Sequence, residues 1–197
     1  MKLVMLGDSI TQGWDGYKDV QYPASVTVAQ RLGISVTNLG HGGGAIIGER
    51  KNDLTASVAS CSFADYDIVT VAYGINDFNQ GTGTLATVTE TLTAELARIR
   101  AQTATIQLVG ILPMWGNIDA VKEDQNQRGI SFTAFQDALA TTYQAAGGVV
   151  LDWRVAPIVT AANAEETLAD HWLHPNQATY NKVGARIADV IHTTLTI

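Results

Sequence analysis

Two residues near opposite ends of the sequence, Ser9 and His174, have the side chains needed for nucleophilic catalysis. A serine hydroxyl becomes a nucleophile when a base lies within hydrogen-bond reach and donors stabilise the developing oxyanion. Ser9 follows a short apolar run and the pair Gly7-Asp8, where a sharp turn can present its hydroxyl. A serine in this place is, by itself, more often a helix cap. Ser9 is therefore a candidate nucleophile only if a base and oxyanion donors lie near it.

The sequence has four histidines that could act as the base. His174 is the strongest candidate, because Pro175 keeps the residue before it out of helical conformation and so on the loop ahead of the last helix. His171, three residues earlier, is its rival. His41 lies between glycines and could line the site, whereas His192 lies inside the last predicted helix and is interpreted as a surface or packing residue. His174 is the predicted base, with His171 as the alternative.

Two further features could supply oxyanion donors. The run Gly42-Gly43-Gly44 permits close backbone approach and can aim N–H groups at an anion, although a tight turn or a phosphate loop would explain it as well. Neither Gly-x-x-x-x-Gly-Lys-Ser/Thr nor Gly-x-Gly-x-x-Gly is completed, so a nucleotide site is unsupported. Asn76 carries a side-chain NH₂ that could donate, and an Asx-type turn is an equal alternative for it.

Short runs rich in Val and Ile alternate with longer amphipathic stretches, which is typical of βα units around a buried parallel sheet. The predicted strands are 2–6, 34–39, 67–72, 105–112 and 148–151, and the predicted helices are 22–32, 47–60, 85–102, 132–146 and 175–194. This order favours a three-layer α/β/α sandwich with a five-stranded parallel sheet. Ligands of such sheets bind beyond the carboxyl ends of the strands, and the candidate residues Ser9, Gly43 and Asn76 all follow strands.

Together these residues resemble the SGNH hydrolase superfamily, also called the GDSL family of esterases and lipases. Four blocks carry the resemblance, in the family's order: Gly-Asp-Ser-Ile-Thr at 7–11, Asn38-Leu39-Gly40, Gly-Ile-Asn-Asp at 74–77 and His174-Pro175-Asn176. They span positions 7 to 176, which is nearly the whole chain. The resemblance implies a flavodoxin-like sandwich with a serine-hydrolase site.

By this resemblance Ser9 is the nucleophile and His174 is the base. The implied oxyanion hole consists of the Ser9 N–H, a glycine N–H from the second block and the Asn76 side chain. We assign the glycine to Gly43, with Gly42 as a neighbouring possibility. No cofactor and no metal is implied.

One block departs from the family pattern, which places an aspartate three residues before the histidine. Here that position is His171, and Asp170 lies four residues before His174. Asp170 can still reach the histidine if the loop carries one extra residue, or a backbone carbonyl near His171 can hold the imidazole instead. We favour Asp170 as the third member of the triad, because a carboxylate both orients the imidazole and stabilises the imidazolium.

The substrate is predicted less directly. Trp14, Tyr17, Phe78 and Trp115 follow the first, third and fourth strands and could wall a substrate pocket, although local loop packing is the commoner role for each. Asp8 also adjoins the site as a candidate substrate contact, although, like Asp77, it is expected mainly to hold turns and loops. No long apolar insertion suggests a lid, which favours small acyl groups.

The resemblance adds a substrate class to this expectation. Acetyl esters on carbohydrates are a common target in the family, with lysophospholipid and thioester cleavage as alternatives. The displaced aspartate also leaves open a non-catalytic carbohydrate-binding module on the same fold. A small-molecule ester is thus the expected partner, and the sequence favours neither a monomer nor a homo-oligomer.

The composition of the chain bears on its number of domains and on the classes of partner that it could bind. The 197 residues are 46% hydrophobic and 16% charged with a formal net charge of −7, which indicates one globular domain over 1–197 and argues against a nucleic-acid partner. No apolar stretch approaches the roughly 18 residues of a membrane span, and no signal-peptide core is present, so a cytoplasmic location is expected. A single cysteine, Cys61, excludes a disulfide framework, and clustered metal ligands are absent from the sequence.

Overall fold

A computed structural model describes residues 1–80 and 83–194 of the chain. The strands are Lys2–Gly7 (β1), Ser35–Gly40 (β2), Ile68–Ala72 (β3), Gln107–Ile111 (β4) and Val149–Leu151 (β5). They form one parallel sheet in the order β2-β1-β3-β4-β5. Their carboxyl ends therefore meet at one edge, as the sequence predicts.

Helices follow the strands along the chain. In the described residues the α-helices are Ser9–Gln12 (α1), Ala24–Leu32 (α2), Leu54–Ser60 (α3), Ile75–Gln80 (α4), Leu85–Gln102 (α5), Asp119–Lys122 (α6), Phe132–Ala145 (α7), Ala164–Thr167 (α8) and Gln177–Thr194 (α9). The long ones cover both faces of the sheet.

Each face of the sheet has its own apolar core. Val4 and Leu6 of β1 pack into the cluster that α3, α5 and α7 cover, whereas Leu3 and Met5 pack into the cluster under α2 and α9. Successive strand residues point to opposite faces, so a strand buried on both sides is apolar at every position. This arrangement confirms the predicted three-layer α/β/α sandwich.

The predicted helix over 47–60 is wrong over its first half, because α3 begins only at Leu54. The segment before it folds around the buried carboxylate of Asp53, which accepts the N–H groups of Ala45 at 3.0 Å and Arg50 at 2.9 Å. Arg50 also pairs with that carboxylate through its guanidinium at 3.0 Å. Backbone N–H groups that bond a side chain cannot enter a helical ladder, so this stretch is a loop.

Two predicted helices begin two residues later than expected. Pro23 is the residue before α2 and has an extended conformation with ψ 164°. Pro175 forms an isolated antiparallel bridge with Leu168, so α9 begins only at Gln177. The sequence does not predict the four short helices, α1, α4, α6 and α8. Each has only four to six residues, which do not complete two turns of apolar periodicity.

Two glycines allow α1 to lie directly against the sheet. A Cβ atom on Gly7 would collide with the side chain of Thr11, and one on Gly40 would collide with the backbone of Gln12. Asn38 completes this contact by donating from Nδ2 to the Thr11 carbonyl at 2.8 Å. The glycines and the asparagine thereby place the first turn of α1 at the carboxyl edge of β1 and β2.

Two further properties hold for residues 1–80 and 83–194. No helix there has the length and apolarity needed to cross a membrane. No group of three or more His, Cys, Asp or Glu side chains in the same residues could hold a metal ion.

Candidate active site

Ser9 and His174 lie together at the carboxyl edge of the sheet. Ser9 is the first residue of α1, and the Asp8 carboxylate caps that helix by accepting the Ile10 N–H at 2.9 Å. His174 lies on the loop before α9, and its Nε2 is 3.0 Å from Ser9 Oγ. This separation is a hydrogen bond between the candidate nucleophile and the candidate base.

Asp170 contacts the other side of the imidazole. Its Oδ2 lies 2.6 Å from His174 Nδ1, and the two side chains are only 13% and 12% exposed. Its Oδ1 accepts the backbone N–H groups of Trp172, Leu173 and His174 at 3.0, 2.9 and 2.9 Å. Of the two acceptors considered from the sequence, the structure thus brings the carboxylate to the ring.

The loop from Asp170 to His174 accommodates its one extra residue through the backbone conformation of His171. That residue has a φ of 55°, in the left-handed region that few non-glycine residues adopt. Its own ring pairs with Glu165, with 2.9 Å between His171 Nδ1 and Glu165 Oε2. The structure therefore brings His174, and not His171, to the serine.

The charge of Asp170 is set by two opposing effects. Burial raises the pKa of this carboxyl, whereas the hydrogen bonds from His174 and from three backbone N–H groups lower it, and the pKa lies below its ordinary value. Asp170 is consequently a carboxylate at neutral pH. A carboxylate at Nδ1 fixes the tautomer that leaves Nε2 free to accept the serine proton.

The three candidate oxyanion donors line the same cleft as Ser9 and His174. The Ser9 N–H stands at the first position of α1, where a helix offers no acceptor. Asn76 uses its Nδ2 to donate to the Gly44 carbonyl at 2.8 Å, which leaves the second hydrogen of that NH₂ group for a ligand.

The two glycines considered for the third donor differ in their hydrogen bonds. The Gly42 N–H donates to Gln12 Oε1 at 2.7 Å and is thus occupied. The Gly43 N–H bonds to none of the residues that the structure describes. Gly43 therefore has the available donor, in keeping with its assignment from the sequence.

Side chains behind the glycine loop hold it in place. The Asp77 carboxylate accepts the N–H groups of Ile46 and Ile47 at 2.8 and 2.9 Å. Asn52 Nδ2 donates to the Gly42 carbonyl at 2.5 Å, and Arg50 donates to the Gly43 carbonyl at 2.7 Å. The peptides before and after Gly43 are therefore both fixed. A donor held by such contacts does not need to be reoriented as negative charge develops.

The five candidate substrate contacts divide into one that lines the cleft and four, among them the exposed Tyr17, that do not. Trp14 lines the cleft, which has a volume of about 430 Å³. Trp115 lines a separate cavity, and Asp8 is the residue that caps α1 and is only 4% exposed. Phe78 is fully buried, with its ring centroid 4.9 Å from that of Phe132, so its prediction as a pocket wall is wrong.

Sequence reasoning missed three residues that line the cleft: Gln12, Trp172 and Leu173. Gln12 follows Ser9 by three residues, a spacing that places both on one face of α1 once that helix is known. Trp172 and Leu173 belong to the Asp170–His174 loop, and only proximity to the histidine could have indicated them.

Comparison with known proteins places the chain in a family. The profile of the GDSL-like Lipase/Acylhydrolase family matches residues 5–182. No curated protein shows a significant match. A lipase/acylhydrolase from Enterococcus faecalis has a solved structure with a TM-score of 0.74 and 23% identity, covering 96% of this chain and 94% of that one.

Two further solved structures share the fold. A Lactobacillus plantarum protein has a TM-score of 0.82 and 20% identity, covering 99% of this chain and 98% of that one. The aryl esterase of M. smegmatis has a TM-score of 0.73 and 14% identity, covering 98% of this chain and 99% of that one.

The match over residues 5–182 shows that this chain belongs to the GDSL-like lipase/acylhydrolase family. It is therefore a carboxylic ester hydrolase, and the SGNH/GDSL resemblance predicted from the four sequence blocks is confirmed. The roles of individual residues stay predictions.

The buried helix cap Asp8 yields a prediction about stability. Burial raises the pKa of Asp8 to about 7, with a smaller contribution from Asp77 and an opposing one from the Ile10 N–H. In the unfolded chain the group ionises near 3.8, so the folded state holds an extra proton between about pH 4 and pH 7. The contribution of Asp8 to the free energy of unfolding falls over that window.

We expect Asp8→Asn to gain stability relative to the parent chain as the pH rises from about 4 to about 7, because asparagine caps the helix without ionising. Urea unfolding at a series of pH values measures the difference. Asp65→Asn, at an exposed aspartate, controls for the loss of one negative charge. Parallel stability curves for Asp8→Asn and the parent would contradict this prediction.

Proposed function

We propose that this chain is a serine esterase that hydrolyses small acyl esters, acetyl esters above all, of water-soluble alcohols such as carbohydrates. The observation that carries the proposal is the continuous set of contacts from Ser9 Oγ to His174 Nε2 at 3.0 Å and from His174 Nδ1 to Asp170 Oδ2 at 2.6 Å. A nucleophile, a base and an orienting carboxylate in that order are the parts of an acyl-transfer triad.

In the proposed reaction, His174 Nε2 takes the proton of Ser9 as Oγ attacks the ester carbonyl carbon. The resulting oxyanion accepts hydrogen bonds from the Ser9 N–H, the Gly43 N–H and the Asn76 side chain. His174 then gives the proton to the departing alcohol, which leaves an acyl-enzyme on Ser9. Water, deprotonated by the same imidazole, hydrolyses that ester, and Asp170 stabilises the imidazolium in both halves.

The walls of the cleft support a small acyl group. Of the described residues that line it, Trp14, Trp172 and Leu173 contribute apolar side chains, and the others are polar residues or glycines. Burying a methylene group contributes about 0.8 kcal/mol, which requires apolar surface on which to bury it. This cleft offers such surface for a short acyl chain only.

The first prediction from the proposed function is that a fluorophosphonate probe labels Ser9. Labelling requires a serine made reactive by a base, so it is expected to disappear in Ser9→Ala and to fall strongly in His174→Ala. Intact-mass and peptide mass spectrometry locate the label. Ser60→Ala, on the exposed end of α3, is the matched serine control and is expected to label like the parent. A folded parent chain that takes up no probe would instead indicate a non-catalytic module.

The second prediction concerns the oxyanion hole. Asn76→Ala removes one donor and is expected to lower kcat for acetyl esters by roughly 10²- to 10³-fold, because the developing charge loses a hydrogen bond. Melting temperature and kcat are measured together, with Gln80→Ala at the exposed end of the same helix as the control. Full activity in Asn76→Ala would remove this side chain from the proposed mechanism.

The third prediction concerns acyl length. Hydrolysis of p-nitrophenyl acetate, butyrate and octanoate keeps the leaving group constant while the acyl chain grows. We expect kcat/KM to be highest for acetate, since the cleft gives longer chains little apolar surface. A steady rise of kcat/KM toward octanoate would overturn the proposed acyl preference and favour a lipase-like substrate.

A further inference from the structure

A second concave surface adjoins the catalytic cleft. This surface, called here the amide groove, has a volume of about 400 Å³. It is lined by Asn79, Ile118, Asp119, Ala120, Glu123, Gln125, Asn126, Gln127 and Trp172. Most of these side chains are polar, and none of them belongs to the proposed triad or oxyanion hole.

Trp172 lines both the cleft and the amide groove. Its side chain is large and 44% of the residue is exposed, with its ring centroid 6.4 Å from that of His174. Its backbone is held at both ends, since its N–H donates to Asp170 Oδ1 at 3.0 Å and its carbonyl accepts the Asn117 N–H at 2.6 Å. An exposed indole on a backbone that is held in place thus lies between the reacting centre and the groove.

Helix α4 makes the same connection from the opposite side. Asn76 lines the cleft and Asn79 lines the groove, and residues three apart lie on one face of a helix. The cleft and the amide groove are therefore neighbouring parts of one surface. An alcohol whose ester carbonyl lies at Ser9 would extend along it.

Three amide side chains of the groove are available to form hydrogen bonds with a ligand. Those of Asn79, Gln125 and Gln127 bond to none of the described residues. The side chain of Asn126, by contrast, accepts the N–H groups of Arg128 and Ile130 at 3.0 and 3.1 Å and holds the loop. An amide both donates and accepts hydrogen bonds, as a hydroxyl does, so the free amides match an alcohol rich in hydroxyl groups.

The charge of the amide groove selects against anions. Of the residues that line the groove, Asp119 and Glu123 carry carboxylates and none carries a positive charge; the nearby Lys122 ammonium, paired with Asp119 at 2.7 Å, offsets one of the two negative charges. The whole chain carries a formal net charge of −7. A phosphate or carboxylate on the alcohol would meet like charge here, whereas a neutral polyol would not.

We propose that the amide groove binds the alcohol half of the substrate and that this alcohol is a neutral polyhydroxylated molecule, such as a saccharide, lying against the Trp172 indole. This inference rests on the proposed function, because it places the alcohol relative to Ser9. It makes Trp172 and Asn79 the residues that determine specificity for the alcohol.

The test compares three acetates of primary alcohols, which differ little in intrinsic reactivity. They are a glucoside acetylated at its primary hydroxyl, ethyl acetate, and the acetyl ester of γ-hydroxybutyrate, which is an anion. We expect the parent chain to have its highest kcat/KM on the glucoside acetate and its lowest on the anion. The ratio of kcat/KM for the glucoside acetate to that for ethyl acetate is the quantity to follow in variants.

Trp172→Ala and Asn79→Ala are each expected to lower that ratio by about two- to tenfold, the range set by a stacking contact or a hydrogen bond. The matched control is Tyr17→Ala, an aromatic residue that is 70% exposed and lies outside both the cleft and the groove. It is expected to leave the ratio unchanged. Ratios that are the same in all four proteins would overturn the inference.

A binding measurement separates this inference from the proposed function. The unacetylated glucoside is titrated into Ser9→Ala, with and without Trp172→Ala, and the heat of binding is followed by isothermal titration calorimetry, which does not depend on the indole. Saturable binding that Trp172→Ala abolishes supports the groove even if the parent hydrolyses no ester, in which case the proposed function alone fails. Ser9-dependent hydrolysis of ethyl acetate without saccharide binding or preference overturns the groove and leaves the esterase in place.

Discussion

The geometry of the site depends on one partly buried carboxylate, Asp170. Its Oδ1 gathers three consecutive backbone N–H groups, and its Oδ2 holds the imidazole of His174. The same side chain thus closes the loop and aims the ring that this loop carries. Because those bonds lower the pKa of Asp170, the anion persists at neutral pH and the loop keeps its shape. The position of His174 relative to Ser9 and the position of Trp172 both follow from the hydrogen bonds of this one carboxylate.

Two other buried aspartates organise the rest of the site in the same way. Asp8 accepts an N–H at the start of α1, and Asp77 accepts two from the glycine loop. Neither has a cationic partner among the described residues, so burial raises the pKa of Asp8 to about 7 and that of Asp77 to about 6. The loops are therefore aimed by carboxyl groups whose burial costs stability once they ionise, although the hydrogen bonds from the backbone reduce that cost. The folded state is thus less stable once they ionise, and the same carboxyls hold the loops whose N–H groups point at the cleft.

The sequence predicts the sheet and the long helices well, because their apolar periodicity repeats over several turns or strands. It fails at 47–53, where the carboxylates of Asp77 and Asp53 accept the backbone N–H groups of Ile47 and Arg50, which a periodic pattern assigns to a helix. It also misplaces Phe78, since following a strand does not say which way a side chain points. On α4, Asn76 faces the cleft while Phe78, two residues on, faces the core. The choice between Asp170 and a backbone carbonyl needed distances, which spacing cannot supply.

The departure of the Asp170–His174 spacing from the family pattern has a structural consequence beyond the triad. Four residues of separation are accommodated because His171 adopts a left-handed conformation, which costs a non-glycine residue about 1 kcal/mol. The three N–H groups on Asp170 offset that cost, since each is a bond to a charged acceptor. The residue after the turn is Trp172, at the border between the cleft and the amide groove. One loop, with one extra residue, thereby fixes both the base and the surface against which the alcohol would lie.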